Sequence, residues 1–163
     1  KLKMTKKEVK DEMKDTEGRP EVKSHIRKRQ REMASARMIE KVKDADVVIT
    51  NPEHFSVAVS YEPSGENAPI VIAKGIDHLA LKIRERAKNN SIFLFEAPVL
   101  SRALYFTTDV NQQIPEQLYV AVAQVIAYVY NLNAVDKISS TPEKPFPQVP
   151  PELTFDSFGN VSN

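Results

Sequence analysis

Asparagine followed by proline sets up an unusual piece of backbone chemistry, and the chain carries that pair at Asn51-Pro52, within Asn51-Pro52-Glu53-His54. In ordinary asparagine ageing the following backbone nitrogen attacks the side chain, which requires a removable proton on that nitrogen. Proline has none, so this route is closed. The opposite cyclisation stays open. The side-chain nitrogen of Asn51 attacks its own backbone carbonyl carbon and the nitrogen of Pro52 departs. The chain is then cut, with a succinimide ending the first fragment. An amide nitrogen is a weak nucleophile and a peptide carbon a weak electrophile. The fold must therefore bring the two within about 3–3.5 Å and supply hydrogen bonds to the developing oxyanion. Histidine changes charge near neutral pH, which suits His54 to relay a proton from the Asn51 nitrogen or toward the leaving Pro52 nitrogen. Glu53 either orients His54 or faces water. The plainer reading of the same residues is a turn, because Asn-Pro is a frequent turn dipeptide.

Other chemistries find less support. There is no cysteine, which excludes thiolate catalysis, disulfides and cysteine-held metals. His25, His54 and His78 are far apart and lack the spacing of a metal-binding helix motif, so neither a metal nor another cofactor is expected. No nucleophile, base and orienting group can be assigned for a hydrolase acting on a separate substrate. Any catalysis is then single-turnover and directed at the chain itself.

Two strands should hold the junction. Ala45-Asp46-Val47-Val48-Ile49-Thr50 is a β-branched run typical of a buried strand, and it ends where Pro52 can no longer donate to a ladder. Phe55 to Tyr61 alternates large apolar with small residues, the period of a strand. A turn at residues 62–67 leads to a third strand, Pro69 to Gly75. Leu79, Ala80, Ile83 and Ala87 place an amphipathic helix over 77–88, and Ser91 to Phe95 reads as a fourth strand. A short helix follows from Val99 to about Phe106, and a longer one from Pro115 to about Asn131. The fold class is α/β: a small mixed sheet of four to five strands covered by helices, with the 55–75 hairpin antiparallel.

The flanks differ from this core. MTKKEVKDEMKDTEG is at best a solvent-facing helix, and residues 20–40 form a helix whose apolar stripe is thin, so it should project. Residues 1–43 hold 15 Lys/Arg against 8 Asp/Glu and residues 44–163 hold 8 against 14, so a net charge of +1 conceals a divided chain. Three regions follow: a basic linker and helix at 1–43, the α/β domain at 44–133, and a proline-rich tail at 134–163 expected to be largely disordered. No window is long and apolar enough for a membrane-spanning helix, and a start at Lys1 suggests a piece of a longer protein. Lys23, Arg27, Lys28, Arg29 and Arg31 suit an anionic membrane surface beside a preceding membrane helix. Nucleic acid is disfavoured because no aromatic stacking platform or base-reading motif accompanies them.

Several separated motifs agree in order with one family. Asn51-Pro52-Glu53-His54-Phe55-Ser56-Val57-Ala58-Val59 is followed by Ala68-Pro69-Ile70-Val71-Ile72-Ala73-Lys74-Gly75. Ile83-Arg84-Glu85, Glu96-Ala97-Pro98, Arg102-Ala103-Leu104-Tyr105 and Ile114-Pro115 come next. Across residues 3 to 133 the chain resembles the cytoplasmic domain of the type III export switch family, FlhB/YscU, the flagellar branch more than the virulence branch. That resemblance implies a membrane-anchored protein whose soluble domain lies on the cytoplasmic face of the bacterial inner membrane. It also implies self-cleavage between Asn51 and Pro52, with the pieces staying associated, linked to a switch in export substrates. Implied partners are other export apparatus proteins, the hook-length regulator, exported flagellar subunits and the large export gate protein. Arg84, Glu85, Arg86 and Lys88 are a candidate contact patch, or a solvated helix face. The family carries threonine where this chain has Glu53. An ionised carboxylate cannot donate to the scissile carbonyl and opposes oxyanion formation, so cleavage should be slowed or abolished. The alternative is a scaffold or adaptor that does not cleave and whose Asn-Pro is only a turn.

Overall fold

The computed structural model describes residues 20–62, 67–134 and 142–162. The expected solvent-facing helix near the start lies outside them. Two compact units divide the chain, Lys1–Arg37 and Met38–Asn163. Helix α1, Pro20–Glu40, matches its expected bounds and buries no residue, as its thin apolar stripe implied.

Five strands form one mixed sheet in the order β4-β1-β2-β3-β5. They are β1 (Val47–Asn51), β2 (Phe55–Ser60), β3 (Ile70–Ile76), β4 (Leu94–Glu96) and β5 (Gln112–Gln113). β1 runs antiparallel to β2 and parallel to β4, which leaves it interior to the sheet. An interior strand covered on both faces reads as a nearly continuous apolar run, and Val47, Val48 and Ile49 are buried, with Thr50 buried beside them. Val47 and Ile49 pack with Val57, Val59 and Phe95 under helices α3 (Pro98–Thr107) and α4 (Tyr119–Ala134). Val48 and Ala58 face the opposite side, with Val42, Ile83 and Ala87, the last two from helix α2 (His78–Asn89).

One irregularity lies in β3. Ala58 pairs with Ala73 and the next residue, Val59, with Val71, so Ile72 is an extra residue in the ladder. Strict alternation would put Val71 and Ala73 on one face. The bulge sends Val71 to the α3/α4 side and Ala73 to the α2 side.

Several expectations shift. The fourth strand begins at Leu94 rather than Ser91, because residues 90–92 finish α2: the Ile92 amide donates to Ala87 at 2.8 Å and Ser91 takes a positive φ of 58°. A 3-10 turn, Glu116–Leu118, precedes the last helix. β5, two exposed glutamines, carried no periodic signal.

The described part of the tail departs from the disorder its composition suggested. Val149 and Leu153 pack against the α3/α4 core, and Phe155 bridges to Val161. Arg102 of α3 donates through Nε to the Phe155 carbonyl at 2.7 Å, and the Phe155 ring lies 5.5 Å from that of Phe106. Asp156 accepts amide hydrogens of Phe158 and Asn160 at 2.8 and 2.9 Å, closing the small loop. Proline excludes ladder bonding, but side-chain packing and a local carboxylate turn need no ladder.

Candidate active site

Asn51 closes β1 and Phe55 opens β2, and the two are register partners. Only Pro52, Glu53 and His54 connect them, so the Asn51-Pro52 bond sits at the tip of a tight hairpin. Both roots are held. The Thr50 carbonyl accepts the Ala97 amide at 2.9 Å, and the Ile49 carbonyl accepts the Ser101 hydroxyl at 3.1 Å. Phe55 is buried, edge-on to Tyr105 and Phe106 at centroid separations of 5.2 and 5.7 Å.

Within the tip, the His54 amide donates to the Asn51 carbonyl at 3.0 Å. Proline in the second position and a φ of 75° at Glu53 in the third have the signature of a type II turn. Glycine usually fills that third position, since a Cβ is disfavoured in the left-handed region by about 1–2 kcal/mol. Asn51 is half-buried, and Pro52, Glu53 and His54 are exposed. The oxygen that would become negative during cyclisation thus already accepts a backbone N–H, the kind of donor an oxyanion needs.

His54 has a second set of contacts. Its carbonyl accepts the Asp77 amide at 2.8 Å, and its Nδ1 lies 3.1 Å from Asp77 Oδ1. Asp77 therefore partners the ring, and Glu53 stands exposed, which answers the choice the sequence left open for Glu53. Helical periodicity marks Asp77 only as the first residue of the 77–88 pattern. Its available signal was an aspartate just after Gly75-Ile76 at the head of a helix.

The charged residues of α2 do not act together. Arg84 donates through Nη1 to Ser56 Oγ at 3.4 Å, next to the hairpin root, while Arg86 reaches Glu40 at 2.8 Å. Glu85 and Lys88 are exposed, as are Lys23, Arg27, Lys28, Arg29 and Arg31 on α1.

Lys74 was also missed. Its ammonium donates to the Tyr105 and Thr108 carbonyls at 2.8 and 2.9 Å, capping the carboxyl end of α3. Burial lowers its pKa, and nearby Asp109 partly offsets that. Tyr130 donates to Asp46 at 2.9 Å, and its phenol is pushed up to about 12 by desolvation, then by that carboxylate. An apolar groove of about 430 Å³ runs beside Tyr130, between Tyr61, Ala68, Pro69, Ala123 and Ile126. Among the described residues no three or more His, Asp or Glu gather as a metal site. No described helix is long and apolar enough to cross a membrane.

Comparison with known proteins gives this mixed sheet, with its Asn-Pro hairpin tip and helices on both faces, its class: the cytoplasmic domain of the type III export switch family. The chain belongs to the FlhB HrpN YscU SpaS family, whose model matches residues 1–129. It is 47% identical over 129 residues to the flagellar biosynthetic protein FlhB of Bacillus subtilis, covering 79% of this chain and 36% of that protein. FlhB of Yersinia enterocolitica is 52% identical over 132 residues, covering 81% and 34%. The chain spans about a third of the length of these relatives. The crystal structure of the cytoplasmic domain of FlhB from Shewanella putrefaciens matches with a TM-score of 0.65 and 44% identity, over 74% of this chain and 95% of that one. The flagellar branch is the better supported, and the chain corresponds to the cytoplasmic region of such proteins.

Proposed function

We propose that this domain controls which substrates a flagellar type III export apparatus accepts, and that it does so by cutting itself between Asn51 and Pro52. The observation that carries the reading is the hairpin tip, where the scissile carbonyl already accepts the His54 amide at 3.0 Å between two buried strands. In the reaction the Asn51 Nδ2–C bond forms and the C–N bond to Pro52 breaks. One Nδ2 proton passes by way of His54 to the prolyl nitrogen, and the other remains on the succinimide. No cofactor is required. Glu53 slows the step by placing a negative charge near the developing oxyanion.

The sheet explains why the fragments would stay together. The first piece ends at Asn51 yet supplies Val42, Val47, Val48 and Ile49, all buried, to the two cores. Withdrawing it would expose both faces of an interior strand, at about 1.5–3 kcal/mol for each such side chain. Scission would therefore free the tip, relieve the positive φ at Glu53 and leave the body intact. The altered tip is what export apparatus proteins, the hook-length regulator, exported subunits and the large export gate protein would read. The exposed basic side chains of α1 would lie on the anionic cytoplasmic surface of the inner membrane, below the anchor of the full-length protein.

Time-resolved intact mass is the test. The parent chain and Glu53→Thr should each give two fragments meeting at Asn51-Pro52. Asn51→Ala should give none, and His54→Ala should give them more slowly. A single intact mass from both the parent and Glu53→Thr after prolonged incubation would leave the non-cleaving scaffold as the correct description.

A further inference from the structure

We propose that Asp77 is a positioning residue for self-cleavage, holding His54 in the ring orientation and tautomer that proton relay requires; this rests on the self-cleavage reading. One residue grips His54 twice. The Asp77 amide fixes the His54 carbonyl at 2.8 Å, and its carboxylate meets ring Nδ1 at 3.1 Å. An ionised carboxylate only accepts, so Nδ1 must carry the hydrogen, which leaves the Nε2 lone pair of a neutral ring available. That lone pair is the site that can take a proton from Asn51 Nδ2 and return it to the Pro52 nitrogen.

The backbone shows how the carboxylate is delivered. Ile76, the last residue of β3, is the register partner of Phe55, which immediately follows His54. The next residue, Asp77, adopts a φ of 50°, and its carbonyl accepts the Leu81 amide at 2.9 Å to begin α2. A strand paired with the hairpin and a helix leaving it thus fix Asp77 from both sides. With a ψ of −108° this backbone lies outside the regions that non-glycine residues favour, so the flanking strand and helix hold Asp77 there against its own preference. The His54 and Asp77 side chains are 64% and 69% exposed, so water competes for the bond. Its loss should slow scission about three- to tenfold, not abolish it.

Two measurements on the full chain test the assignment. In an Asn51→Ala background, which keeps the chain whole, nitrogen-15 spectra of the His54 ring should show protonated Nδ1 and bare Nε2 at a pH where the ring is neutral. Asp77→Ala should reduce that tautomer's share, and Asp77→Asn, which keeps an acceptor oxygen and the shape of the side chain, should restore much of it. In a Glu53→Thr background, Asp77→Ala should slow the appearance of fragments three- to tenfold, with partial recovery in Asp77→Asn. An unchanged tautomer without the carboxylate overturns the proposal, and so does a changed tautomer with an unchanged scission rate. Failure of the underlying reading looks different: no fragments then form even with Asp77 intact.

Discussion

Replacing Glu53 by glutamine removes one negative charge from the hairpin tip while keeping the length of the side chain, so it isolates the electrostatic part of the proposed slowing. The exposure of Glu53 sets the dielectric that governs the effect. Glu53 is exposed, so its carboxylate interacts with the scissile carbonyl largely through water. For a separation taken as about 7 Å, the repulsion in a dielectric of about 80 is about 0.6 kcal/mol, whereas a dielectric of about 20 would give about 2.4 kcal/mol. The exposed value corresponds to about a threefold change in rate and the other to about fiftyfold. Glu53→Gln should therefore cut itself about three times faster than the parent at low salt. In roughly 1 M salt, where the screening length falls to about 3 Å, the two should nearly coincide. The assay is intact mass against time for both chains at both salt concentrations. An acceleration beyond about thirtyfold, or a gap that salt leaves untouched, would refute the solvent-screened account.

The other predictions concern stability. Glu53→Gly in the non-cleaving Asn51→Ala chain should stabilise the fold by up to about 1 kcal/mol in urea titration, because glycine occupies a φ of 75° without the Cβ penalty. Lys74→Met should destabilise by about 2 kcal/mol, since it leaves the Tyr105 and Thr108 carbonyls without their charged donor. Tyr130 is held protonated up to about 12, above an ordinary phenol. Its contribution to stability is therefore complete below about pH 10 and is lost as pH rises toward 12. Ultraviolet titration of Asp46→Ala should show Tyr130 ionising earlier, and an unmoved transition would contradict the Asp46 contact. Arg102→Ala should make residues 149–162 more open to proteolysis, because their carbonyl anchor at Phe155 is lost.

What could be read from the chain alone was local. The alternation from Phe55, the β-branched run before Asn51 and the helical spacing in 77–88 come from neighbours within a few residues, and each produced the element expected. Proline's missing amide hydrogen likewise settles, without any fold, which cyclisation Asn51 can undergo. Only the folded chain decided the rest. Pairing of β4 beside β1 made β1 interior, the bulge at Ile72 divided Val71 from Ala73, and Phe106 gave Phe155 a seat. Asp77 reached His54 across 23 residues for the same reason. Such contacts depend on strand register and on the path of each connection, which short-range periodicity does not encode.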